Sequence, residues 1–138
     1  MSLKSPEAVL RAAMVADATL AGQIGTRIYP VIAPASATLP FVTWRRAGIQ
    51  RSQTLGVPVG VPRLSVEFAI YAATYEAARE VADRMRVVLD GYGGTVDNVV
   101  VKQVSLEQES DDFVALAGAE MPPAFQITMV FDVWWQET

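Results

Sequence analysis

Between Leu64 and Gly91 an alternating segment runs directly into one of helical period. Leu64, Val66, Phe68, Ile70 and Ala72 alternate with Ser65, Glu67, Ala69 and Tyr71, which predicts a half-buried strand with one apolar and one mixed face. Thr74 then stands at an N-cap position, and Glu76 in the first turn complements the positive end of the helix dipole. Ala78, Val81, Ala82, Met85, Val88 and Leu89 follow the i, i+3, i+4 spacing of one face, and only Val87 breaks the polar side. The spacing predicts a helix over 75–89, with Gly91 placed to adopt the left-handed conformation that ends it. Each large side chain on the apolar face contributes roughly 1.5 to 3 kcal/mol when buried, so that face must lie on a sheet.

The other elements follow from similar signals. Ser5, Pro6 and Glu7 open a helix over about 6–16, its buried stripe being Val9, Leu10, Ala13 and Met14. Asp17 caps a short turn through Ala21, stopped by Gly22 and Gly25, before a short strand at Arg27 to Tyr29. Pro30, Pro34 and Pro40 mark an irregular connection. Long strands are expected at Phe41 to Gln53, Leu64 to Ala72, Val96 to Leu106 and Phe125 to Trp135, the first two forming a hairpin. The expected fold is α+β: a mostly antiparallel sheet of about four long strands packed by two helices, in the order helix, strands, helix, strands. It forms one domain over 1–138, with long loops at 52–62 and 110–123.

Several motifs stand in a set order along the chain: Arg27-Ile28-Tyr29-Pro30, Leu39-Pro40-Phe41-Val42-Thr43-Trp44, and the helix entry Tyr71-Ala72 with Thr74-Tyr75. The exit Leu89-Asp90-Gly91, the acidic Gln108-Glu109-Ser110-Asp111-Asp112 and the closing Phe131-Asp132-Val133-Trp134 complete the set. In that order the chain resembles the tail-completion, or head-to-tail joining, proteins of long-tailed bacteriophages and prophages. The resemblance implies a structural virion assembly protein at the head-tail joint, working as a homo-oligomeric ring of six subunits. It implies the phage tail tube protein and the head-side connector protein as partners. It places the chain in the virion, and in the host cytoplasm during assembly. No catalytic or ligand-binding position is carried over.

Composition narrows the chemistry further. A chain of 138 residues with 51% apolar and 19% charged residues suits one compact core, and no apolar run reaches the length of a membrane span. No signal-peptide layout is recognised, so a cytosolic origin and no membrane partner are expected. The net charge of −4 argues against a protein that chiefly neutralises phosphates, so no specific nucleic-acid binding is expected. Without histidine or cysteine, triads built on either are impossible and zinc sites lose their main ligands. Gly91-Tyr92-Gly93-Gly94 follows a helix, where a phosphate-binding loop would lead into one. No enzyme, cofactor or metal is expected.

Some residues could still carry a role. The run Glu107, Glu109, Asp111 and Asp112 reads first as a solvated face, then as a partner-facing patch, and last as calcium ligands, since the spacing does not match an EF-hand. Arg45 and Arg46 beside Trp44 point to opposite strand faces, which favours structural or protein contacts over nucleic-acid stacking. Trp134 and Trp135 likewise divide between core and an interface anchor. The apolar loop residues Leu55, Val57, Val59 and Val61, with Phe113, Leu116 and Met121 of the second loop and Trp134, are the candidate protein-protein interface. Two alternatives to the joining role stay open: a tail terminator that caps the tail tube, and a free-standing ligand- or peptide-binding α+β module.

Overall fold

The computed structural model describes residues 6–33, 37–50, 53–54, 57–58, 63–96, 99–114 and 124–136. The elements run α1 (Pro6–Ala16), α2 (Ala18–Ile24), β1 (Ile28–Pro30), β2 (Phe41–Gln50), β3 (Gln53–Thr54), β4 (Val57–Pro58) and β5 (Arg63–Ala72). They continue with α3 (Tyr75–Leu89), β6 (Gly94–Val96), β7 (Val99–Val114) and β8 (Ala124–Gln136). Six strands make one curled sheet in the order β1-β2-β5-β8-β7-β6, and β3 pairs with β4 apart from it. β1 is parallel to β2, and every other ladder is antiparallel.

The alternation of β5 divides this sheet into two unlike faces. Leu64, Val66, Phe68, Ile70 and Ala72 are buried with Ile127, Met129, Phe131 and Val133 of β8 and with the apolar side of α3. Phe68 and Phe131 meet edge to face at 5.7 Å in the middle of this layer. α3 lies on β5, β8 and β7, while α1 packs on α2, α3 and β7. Met14, Leu10 and Val9 enter the same core, as does Trp135. α3 begins where the sequence places it: the Thr74 hydroxyl accepts from the Ala77 amide at 3.1 Å, and Gly91 takes φ 80° just beyond Asp90.

The expected sheet of about four mostly antiparallel strands under two helices is replaced by a six-stranded mixed sheet with three helices. The helix missed is α2, because Gly22 is solvent-exposed and stops nothing. Leu20 and Ile24, four residues apart and fully buried, carry the helix to Gly25 at φ 57°. β1 and β6 have three residues each, too few to display a period, and each exists because a longer neighbour offers it a ladder. β7 does not stop at Leu106 but runs on through the acidic segment to Val114, so residues 110–114 are strand where a loop was expected. β2 ends at Gln50, and within the 52–62 loop Thr54 pairs with Val57 in a two-residue ladder.

Candidate functional site

At the far end of the β7–β8 hairpin, where Phe113 pairs with Phe125, aromatic rings gather at the surface. Phe113 meets Phe125 at 5.0 Å, and Tyr75 at the start of α3 meets Phe125 at 6.1 Å, both edge to face. Phe113 is 52% exposed and Tyr75 41%, so two large rings face solvent together. Charge fixes their frame. Arg79 of α3 binds Glu109 directly and reaches Asp83 at 3.2 Å and Asp111 at 3.7 Å. The Tyr75 hydroxyl donates to Asp111 at 2.9 Å. The acidic run is thus tied to a helix along its core-side face, and among the described residues no group of three or more acidic side chains is placed to hold a metal ion.

The sheet face opposite the helices is polar and carries its own partners. Arg45 binds Glu67 at 2.5 Å, Ser65 donates to Asp132 at 2.8 Å, and Arg63 lies 3.6 Å from Asp132. Phe41 is fully buried on this side, stacked at 5.0 Å on Tyr71 and met edge-on by Tyr29. Burial pushes the Tyr71 hydroxyl above its ordinary range, and the nearby Glu67 charge adds to that against a hydrogen bond with Thr43. A cavity of about 210 Å³ opens beside it, lined by Thr43, Glu67, Ala69, Tyr71 and Gln126. Its carboxylate, Glu67, is held by Arg45 at 2.5 Å.

Among the described residues, two strand edges are also uncovered. β6 pairs only with Val99 to Val101 of β7. The turn after α3 then occupies the next stretch, with the Gly91 amide donating to Val104 and the Leu106 amide to Asp90. From Gln108 to Val114 no strand flanks β7 on that side among the described residues. On the opposite edge β1 pairs with β2 only from Val42 to Trp44, so Arg45 to Gln50 are likewise unflanked among the described residues. Such edges are templates for another strand.

Of the residues singled out from sequence, Phe113 is exposed and lies near the end of a strand. Trp134 is half-buried on the helix-free face, opposite Arg63 and Gln103, while Trp135 supplies the core member of the pair. Arg46 shares the helix-side face with Trp44 and binds the buried Glu7 at 2.6 Å, and Arg45 takes the other face. Val57 lies in β4, and Leu55, Val59, Val61, Leu116 and Met121 lie outside the described residues. Sequence reasoning missed Tyr75 and Phe125 as companions of Phe113. An aromatic first-turn residue beside a strand's end was the available signal.

Among the described residues, exposed aromatics on a braced frame and unflanked strand edges are features suited to contact with other proteins. Residues 8–134 match the family of tail completion protein gp17, and the chain belongs to that family. It is therefore a structural protein of phage tail assembly and not an enzyme. The fold is shared with a chain in the virion of a native gene transfer agent particle, with a TM-score of 0.71 at 18% identity over 96% of this chain and 95% of that one. No curated protein sequence matches.

Proposed function

We propose that the chain forms a ring of identical subunits at the head-tail joint of a phage-like virion, completing the tail and attaching it to the head-side connector. Membership of the tail completion family over residues 8–134 is the observation that carries this reading. Two further features support it: the exposed Phe113 and Tyr75 give an anchor for a protein neighbour, and the open edges of β2 and β7 give each subunit two places to meet another. The likeness to a chain of a gene transfer agent virion supports a place inside a particle. The tail tube protein on one side and the connector on the other are the partners this reading requires.

Electron microscopy of lysates from a producing strain lacking the gene, with the complemented strain beside it, tests the role. Filled heads lying apart from tails of normal length are the expected result. Overlong tails would move the role to capping the tail tube, and normal infectious particles would overturn both.

A further inference from the structure

The two open edges belong to the same sheet, lie at its opposite sides, and differ in charge. The free part of β2 begins Arg45-Arg46, whereas the free part of β7 holds Glu109, Asp111 and Asp112. Because β2 and β7 run in opposite directions, β7 of one subunit can receive β2 of a second as an antiparallel neighbour. From these two observations, and resting on the ring reading above, we propose that adjacent copies join β2 to β7 into one continuous sheet in a single register, with Arg46 opposite Asp111 and Arg45 opposite Asp112 of the next copy.

Face matching and charge together select this register: a slip of two residues keeps the faces but sets Arg45 against Ser110 or Val114 in place of Asp112. Arg45 lies on the helix-free face with Asp112, and Arg46 on the helix side with Asp111, as their partners across the sheet establish. Continuing past the bulge at Ala47, Gly48 meets Ser110 and Ile49 meets Glu109, again face to like face. A slip of one residue would turn every side chain on the edge to the wrong side. The ions involved already have partners within the chain, so the junction extends them into alternating rows. On the helix side the row is Glu7, Arg46, Asp111, Arg79, and on the other it is Glu67, Arg45, Asp112.

The register also yields a closed shape. Within one subunit Arg46 lies level with Leu106, through Val66 and Phe131. Placing it against Asp111 of the next copy displaces neighbours along the strands by about 14 Å across four long strands spanning about 19 Å. That corresponds to a strand tilt of about 35°, within the range in which sheets close into barrels. The helices, all on one side, then stand outside, and the polar helix-free face lines the passage.

The chain has no cysteine, which makes the register directly testable. A Cβ at Gly48 meets nothing within 4 Å, and Ser110 is exposed, so the Gly48→Cys/Ser110→Cys protein should fold normally. Directly opposed antiparallel residues have Cα separations of about 4.5 to 5.5 Å, within reach of a disulfide. Oxidation of this variant, free and in assembled particles, should give a ladder of covalent multimers that neither single variant gives. Arg45→Glu should weaken self-association about tenfold, and Arg45→Glu/Asp112→Arg should recover most of it. A closed oligomer by native mass spectrometry without the ladder would overturn the edge pairing and leave the ring reading intact. A subunit that stays monomeric even in assembled particles would overturn both.

Discussion

Arg84 grips Asp17 through two nitrogens, Nε at 2.9 Å and Nη2 at 2.6 Å, and so ties the middle of α3 to the N-cap of α2. The same carboxylate accepts the Leu20 amide at 3.0 Å, so one side chain both starts a helix and docks it. The Arg84 hydrogen bonds, with the Leu20 amide behind them, lower the Asp17 pKa from its ordinary 3.8 to about 2.

A carboxyl depressed on folding contributes stability above its unfolded pKa and loses it as pH falls through the folded one. Thermal stability should therefore drop between about pH 4 and pH 2 in part through Asp17. Asp17→Asn, which can still cap, should flatten that part of the profile and cost less than Asp17→Ala, which loses about 1 kcal/mol of capping in addition. Calorimetric melting across the pH range measures both.

Phe68 and Phe131 are the pair on which the two central strands close over α3. Replacing either by alanine should destabilise the protein by about 3 to 5 kcal/mol, since the cavity left is enclosed by β5, β8 and the helix layer. Urea denaturation followed by circular dichroism should show a lower midpoint with an unchanged slope.

Arg79 holds the acidic half of β7 against α3. Arg79→Gln should leave the melting temperature within a few degrees, because partly exposed ion pairs contribute little. It should speed amide hydrogen exchange from Gln108 to Phe113, where among the described residues only β8 flanks the strand. Equal protection in both proteins would mean the strand needs no brace.

Phe113 and Tyr75 are only partly covered, by edge-to-face contacts with Phe125, so Phe113→Ser and Tyr75→Ser should each cost about 1 kcal/mol of stability, far less than a core substitution. Their larger expected cost falls on assembly. Complementation with either gene should give fewer infectious particles than the parent, with soluble yield unchanged, as plaque or transduction titres would show.

How far the sequence could be read follows from what each element depends on. α3 was legible to the residue because its cap, apolar stripe and glycine stop all lie within 74–91. β5 and β8 were legible for the same kind of reason, their period being carried by large side chains such as Phe68 and Ile127. β1 was anticipated as a short strand at Arg27 to Tyr29, one residue early, but β6 was not, since a three-residue strand is defined by its neighbour's hydrogen bonds and carries no pattern of its own. The acidic half of β7 misled because Glu109 and Asp111 look solvated until Arg79, thirty residues away in sequence from Glu109, is brought beside them. The same distance hid Tyr75 and Phe125 from the candidate interface, while Phe113 was visible by itself as an aromatic among acids.

The sheet carries register shifts at Ala47 in β2 and at Lys102 and Glu107 in β7, and in no other ladder among the described residues. Each is an extra residue that resets which side chains look inward, so each fixes the parity of everything beyond it. Evolutionary tinkering is thereby partitioned. A residue gained or lost at Ala47 would send Arg45 and Gly48 out of phase, which no later point substitution could repair one position at a time. Among relatives that keep this sheet, substitutions at Ala47 should therefore be common and gaps there absent.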